Sequence, residues 1–327
     1  MKLRVAVIYG GRSGEHEVSL RSAKSVMDAL DPEKYKVIQY FISKEGRWRP
    51  RPIAPEPNGN PEIDVVFPVL HGTFGEDGTI QGLLEMAELP YVGAGVLASS
   101  VAMDKEVMKR LARERGLPVV EYLALTRADL AGGDEPVVPF SFPVFVKPAN
   151  LGSSVGISKA KDSAELKRAL DLAAQFDRKV LIERGIIGRE FECAVLGNEQ
   201  PVAAIPCEIL PSRDFYDYED KYLLDKAGTV LPADLTPEQT AEMQRLAVGC
   251  YQAVECEGMA RVDFLLENAT GKMYINEINT IPGFTSISMY PKMWEYSGLP
   301  MPQLIDRLIE LALDRHRIKK SLRYSRE

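Results

Sequence analysis

Two consecutive segments near the C-terminal end constrain this chain more than any other feature. "ARVDFLLE" (260–267) and "YINEIN" (274–279) both read as apolar strands, and the turn-prone "NATG" between them predicts a hairpin. Each strand interrupts its apolar run with polar residues two positions apart: Arg261 and Asp263 on the first, Glu277 and Asn279 on the second. Side chains alternate across a strand, so each pair shares a face. A carboxylate and an amide on an apolar strand are costly to bury without partners. If the register aligns the pairs, one face of the sheet carries hard oxygen donors beside a guanidinium. Oxygen donors without histidine or cysteine suit Mg2+, which keeps waters and shares phosphate oxygens, while arginine suits the phosphate. The competing reading is a half-exposed sheet with surface charges.

Upstream, "LRVAVIYGG", "KVIQYFI" and "DVVFPVL" read as strands alternating with the helical "EVSLRSAKSVMDAL" and "DGTIQGLLEMAE", which predicts a parallel α/β lobe over about residues 1–100. The segment "GRWRPRPIAPEPNGNP" reads as a surface excursion within it. A small second lobe follows over 101–186, with the helix "MDKEVMKRLARERG", strands at "VVEYLAL", "PVFVKP" and "KVLIER", and a helix capped by Asp162. The remainder, 187–327, holds strands at "EFECAVLG" and "QPVAAIPCEIL", a capping box at Thr236 and Gln239, the hairpin, and a last amphipathic helix, "PMPQLIDRLIELALDRH". The basic "RIKKSLRYSRE" after it reads as a solvated tail.

Four glycine- or tyrosine-rich stretches could carry chemistry. "KPANLGSSVG" (147–156) places a lysine at a strand end before a small flexible loop, an arrangement that closes over phosphate or merely connects two elements. "GGRSGEHEVSL" (10–20) lacks the spacing of a dinucleotide fingerprint. Glu15 there either complements the helix dipole or holds an ammonium group, and spacing does not choose. "LHGTFGEDGT" (70–79) puts His71 and two acids in a strand-end loop, where α/β lobes bind ligands. "FYDYEDKY" (215–222) reads as a lid or as an aromatic surface patch. His16 and His316 read as solvated.

The net charge of −7 favours neither a nucleic-acid nor an anionic-membrane partner, and no apolar run approaches the ~18 residues of a membrane span. The four cysteines lack metal-site spacing and read as free thiols in a reducing cytoplasm.

Taken in order, "GGRSGEHEVSL", "HGTFGEDGTIQGLLE", "MDK", "VKPANLGSSVG", "LIE", "FYDYEDKY", "RVDF" and "NEINTIPGFTSIS" resemble the D-alanine–D-alanine ligases, over about residues 4–312. The resemblance implies a three-lobed α/β ATP-grasp fold: an N-terminal parallel lobe (1–100), a central lobe (101–186) and a C-terminal lobe (187–327), the last two clamping ATP as co-substrate. It implies a lid at about 211–232 and peptide synthesis from two D-alanines through an acyl phosphate, for peptidoglycan precursors. On the matching positions it implies metal ligands at Asp263, Glu277 and Asn279, with Glu277 bridging two Mg2+ ions, for which Mn2+ could substitute. It implies ATP contacts at Lys105, Lys147, Ser153, Glu183, Ile186, Glu190 and Lys221. Glu15, Ser153 and Tyr222 match a hydrogen-bonded trio near the first substrate, whose carboxylate lies near His71. Arg261 and the Gly283 N–H would face the tetrahedral oxyanion, and Ser288 the second substrate's carboxylate. A homodimer is the family's expectation. Another ATP-grasp carboxylate–amine ligation, with D-serine or D-lactate as acceptor, is the alternative, and a nucleotide-binding module without catalysis is the rival of another class.

Overall fold

The computed structural model describes residues 2–131, 136–152, 155–210 and 228–323. Near the N-terminus, β1 (Leu3–Gly10) lies between β2 (Tyr35–Ile42) and β4 (Val65–Val69), parallel to both, and the short β3 (Trp48–Arg49) pairs antiparallel with β2. All four central residues Val5–Ile8 of β1 are buried, as expected of a strand covered on both faces. Pro68 sits in β4, the last strand of that sheet, where a missing N–H costs least. Helix α1 (His16–Ala29) packs on β1, while α2 (Thr79–Met86) and α3 (Val96–Met103) follow β4.

Helix α4 (Lys105–Glu114) starts at Asp104, whose carboxylate accepts from the backbone N–H groups of Glu106 and Val107, and Gly116 ends it at φ +69°. An antiparallel sheet follows in the order β5 (Tyr122–Thr126), β8 (Lys179–Arg184), β6 (Val144–Pro148), β7 (Ser158–Ala160). The one-turn α5 (Arg127–Ala131) and α6 (Ser163–Ala173) accompany it, α6 burying Leu166, Ala169 and Leu170 against the sheet in a core of its own.

The third sheet runs β12 (Gly228–Val230), β11 (Cys207–Leu210), β9 (Gly188–Leu196), β13 (Met259–Glu267), β14 (Met273–Asn279), with β10 (Val202–Ala203) also on β9. Helix α7 (Pro237–Ala253), opened by the Thr236–Gln239 capping box, covers one face. Helices α8 (Met289–Tyr296) and α9 (Met301–Lys320) close the chain. One core joins Val5, Val7 and Phe67 of the parallel sheet to Ala194 and Leu196 of β9 and to Leu304, Leu308 and Ile309 of α9. The last helix is therefore bound to the first sheet: Tyr35 Oη donates to Asp306 at 2.7 Å, and the Arg315 guanidinium donates to the Tyr91 carbonyl at 2.8 Å.

Four local expectations change. "QPVAAIPCEIL" is two strands, because Pro206 has no N–H for the ladder and the Ile205 N–H turns to Ser297 Oγ at 2.9 Å. The basic segment after His316 continues α9 to Lys320, with Lys319 on Glu85 and Lys320 3.7 Å from Glu88, so its beginning is docked rather than solvated. The 46–61 excursion is anchored by buried Ile53 and by Asn60, whose side chain bridges the N–H and C=O of Ala54. His16 is buried, its Nδ1 2.7 Å from the Gly11 carbonyl, because the first turn of α1 folds beneath the preceding glycine loop. All four cysteines are free and buried.

Candidate active site

The hairpin pairs as its pattern requires. Arg261 stands opposite Asn279 and Asp263 opposite Glu277, and on the other flank Asp263 pairs with Glu192 of β9. Glu192, Asp263 and Glu277 thus form a row across three adjacent strands, with Arg261 and Asn279 one step along the same face. The register shifts immediately after Asp263, and Asn276 emerges there to accept from Lys147 Nζ at 3.1 Å. The Arg261 guanidinium donates to both carboxylate oxygens of Asp263, each at 2.6 Å, and its Nε lies 3.4 Å from Glu192. Asn279 Oδ1 accepts from the Ile281 N–H at 2.9 Å, turning the chain toward Pro282 and Gly283.

Among the described residues no group of three or more His, Cys, Asp or Glu side chains converges as a metal cage. The donor set suits a different occupant: Mg2+ takes one or two carboxylates and completes its shell with water and phosphate oxygens. Two carboxylates from neighbouring strands and an amide oxygen fit that chemistry, provided Arg261 yields an oxygen of Asp263.

A cavity of about 460 Å³ opens between the central and C-terminal sheets. Lys147, Glu183, Ile186 and Glu190 line it, four of the residues expected at a nucleotide, together with apolar Phe145, Ile157 and Leu265. Glu183 is buried, and Lys147 Nζ lies 2.7 Å from its Oε2. Burial alone would raise its carboxyl, but Lys109 and Lys147 outweigh that and push it down to about 2. Lys105 Nζ donates to the Leu151 carbonyl at 2.7 Å and stands 3.5 Å from Glu277, tying the 147–156 loop to the carboxylate row.

A second cavity adjoins the row, lined by Glu15, His71, Glu76, Arg261, Gly283 and Ser288 among others. The His71 ring lies 3.0 Å from both the Ile281 carbonyl and Ser22 Oγ, and 3.6 Å from Glu76. Burial disfavours its cation, yet Glu76 and Glu15 prevail and raise its pKa. Gly72 has φ +72°, and a Cβ there would stand 2.5 Å from Glu15 Oε2, so glycine makes room for that carboxylate. Similarly, a Cβ on Gly283 would stand 2.6 Å from Ser288 Oγ, which accepts from the Thr285 N–H at 3.0 Å. Here lies the reason for Pro-Gly after the strand: the backbone must pass against the Ser288 hydroxyl.

Ser153, Lys221 and Tyr222 lie outside the described residues, as does most of the expected lid at 211–232. Sequence reasoning took Glu76 only as one of two acids in the 70–79 loop, and missed Glu192 and Lys109. The alternation Glu190, Glu192 on "EFEC" could have disclosed the first, and the spacing of Lys105 and Lys109 on one helix face the last.

Family models agree with the order of motifs. One described as "D-ala D-ala ligase C-terminus" matches residues 111–310, and one described as "D-ala D-ala ligase N-terminus" matches 4–60 and 50–94. A relative named D-alanine–D-alanine ligase, from Solibacter usitatus, is 68% identical and covers 100% of both chains. One of the same name from Geobacillus kaustophilus is 45% identical, covering 99% of this chain and 98% of its own. Among solved structures, the D-alanine-D-alanine ligase from Coxiella burnetii superimposes with a TM-score of 0.85 at 40% identity, over 98% of this chain and 96% of that one. The VanG D-Ala:D-Ser ligase from Enterococcus faecalis gives 0.86 at 35% identity, over 95% and 100%.

Proposed function

The chain belongs to the D-alanine–D-alanine ligase family and joins two D-alanines at the expense of ATP, and from that premise we propose how its own residues divide the work. The observation that carries the division is that β14 serves both cavities: Asn276 lines the one between the sheets, and its neighbours Glu277 and Asn279 line the other. ATP lies in the cavity between the sheets, its base end toward Glu183 and the Ile186 backbone, its ribose toward Glu190. Its phosphates reach Lys147 and Lys105; Lys221 and Ser153, matched to phosphate contacts by the family resemblance, lie outside the described residues. Asp263, Glu277 and Asn279 would hold two Mg2+ ions, which would neutralise charge on the phosphates.

The first D-alanine lies in the second cavity with its ammonium toward Glu15, a carboxylate for which the missing Cβ of Gly72 leaves room. Both His71 ring nitrogens have partners within the protein, so His71 attracts the substrate carboxylate by charge and anchors the 70–79 loop. That carboxylate attacks the γ-phosphorus, and ADP departs, leaving an acyl phosphate. The second D-alanine, its carboxylate held at Ser288, attacks the acyl carbon through its amine. Arg261 and the Gly283 N–H stabilise the oxyanion, which collapses with loss of phosphate. The proton leaving the amine passes toward the Glu15, Ser153 and Tyr222 trio. We read the lobes as 1–100, 101–186 and 187–327 and the enzyme as a cytoplasmic homodimer. Buried free thiols favour a reducing compartment, and among the described residues no helix is long and apolar enough to cross a membrane.

Phosphate release from Mg·ATP tests the acceptor. D-alanine should trigger release and yield a D-alanyl-D-alanine mass; L-alanine should not. D-serine or D-lactate, each given with D-alanine, should yield little mixed product. Mixed product as abundant as the dipeptide would overturn the dipeptide assignment. Gly283→Ala should displace Ser288 and raise the KM for the second D-alanine about tenfold or more, the loss of a hydrogen bond to a charged group. An unchanged KM would remove Ser288 from the acceptor site.

A further inference from the structure

Lys109 lies outside both cavities, four residues and about one turn after Lys105 on α4, and is fully buried. Its Nζ stands 3.0 Å from Glu183 Oε1, and neither atom has a hydrogen-bond partner within good angular reach. Its one ion-pair partner among the described residues is Glu183. A buried ammonium whose single counter-charge forms the wall of a ligand cavity is expensive to keep unless that counter-charge has work to do. Burial lowers the pKa of Lys109 even with Glu183 beside it, whereas Lys147 is held above its usual value.

The two lysines are not equivalent. Lys147 lines the cavity and is shared between Glu183 and Asn276. A nucleotide phosphate would draw its charge away from the carboxylate. Lys109 cannot reach the cavity, so it stays with Glu183 whatever enters. An ionised carboxylate accepts hydrogen bonds and donates none, whereas a protonated one does both. Resting on the assignment of this cavity to ATP, we propose that Lys109 is a positioning residue for base selection: it fixes Glu183 as a pure acceptor, so that the slot takes a purine with a 6-amino donor and rejects a 6-oxo purine. The remaining oxygen, Oε2, faces Lys147 and the cavity and is the one available to the base.

ITP differs from ATP at the 6-position and its neighbouring ring nitrogen, and is the probe. Steady-state kinetics with D-alanine should give wild-type enzyme a kcat/KM for ATP at least about 100-fold above that for ITP, since an unpaired buried acceptor penalises the wrong base. Lys109→Met should cut that ratio at least about tenfold, chiefly by raising the KM for ATP and lowering that for ITP, with the KM for D-alanine changed less than about threefold. A merely structural lysine would leave the ratio unmoved. A folded Lys109→Met enzyme with the wild-type ratio overturns the proposal. If that variant does not fold, Glu183→Gln is compared with Glu183→Gln/Lys109→Met, which removes both buried charges. The two should discriminate equally poorly; a further fall in the double variant would show Lys109 acting by another route and overturn the proposal. Wild-type enzyme that turns over neither nucleotide would sink the ATP assignment and this inference together. A wild-type ratio insensitive to Lys109 sinks this inference alone.

Discussion

Replacing Glu277 by Gln should lower D-alanine-dependent ATP turnover by about a thousandfold, the equivalent of about 4 kcal/mol of charge stabilisation, while the protein remains folded. Glu277 lines the second cavity, paired across the strand with Asp263 and 3.5 Å from Lys105. Its side chain is 26% exposed, and glutamine keeps its volume, so Tm should fall by no more than about 3 °C, the effect of about 1 kcal/mol. What glutamine cannot keep is the charge. A half-metal site with one carboxylate and two amides binds a hard dication poorly, so the Mg2+ concentration for half-maximal activity should rise. Binding offers a readout apart from turnover: Mn2+ bound in the presence of ADP, followed by electron paramagnetic resonance, should drop below the wild-type stoichiometry. Near-normal turnover would remove Glu277 from the metal set. Lost turnover with unchanged Mn2+ binding would make it a structural residue of the row.

The hairpin was the most legible part of this chain, because a period of two and a short turn leave few registers open to "ARVDFLLE" and "YINEIN". Its chemistry was legible for the same reason: polar residues on an apolar strand have to face something. What stayed hidden came from elements distant in sequence. Glu192 belongs to β9, and only the strand order places β9 beside Asp263. Lys109 sits in the helical "MDKEVMKRLARERG", where no local pattern marks it for burial, and α4 packs against α3, α7 and β14, elements mostly distant in sequence. His16 looked solvated because loop geometry, not pattern, buries it. The docking of α9 on the first sheet follows from tertiary complementarity, with Tyr35 meeting Asp306 and Arg315 meeting the Tyr91 carbonyl, which no local pattern encodes.

The second large effect is expected at Arg261, where stability and rate separate. Its guanidinium forks onto both oxygens of half-buried Asp263 and approaches buried Glu192, so one cation serves two carboxylates. Arg261→Met leaves those carboxylates facing each other without it, and breaking a buried pair in this way costs about 3–5 kcal/mol. On the role proposed above it should also remove one of two donors facing the oxyanion, a loss of about 100- to 1,000-fold in rate. Arg261→Lys distinguishes the two. A point charge restores most of the electrostatic compensation, and so most of the lost Tm, yet it cannot make the planar fork that holds Asp263 while turning a second N–H toward the reacting carbonyl. Thermal unfolding should therefore rank the lysine variant near wild type, and turnover should rank it near methionine. Arg261 is placed in the second step, attack on the acyl phosphate, so the first step should survive its loss. Scrambling of oxygen label between the β–γ bridge and the non-bridging positions of ATP, in the presence of D-alanine, reports reversible formation of the acyl phosphate. In Arg261→Lys that exchange should continue while dipeptide formation falls, raising the ratio of exchange to net turnover. If exchange and dipeptide fall together, Arg261 acts on the phosphate in the first step, and the oxyanion is left to the Gly283 N–H.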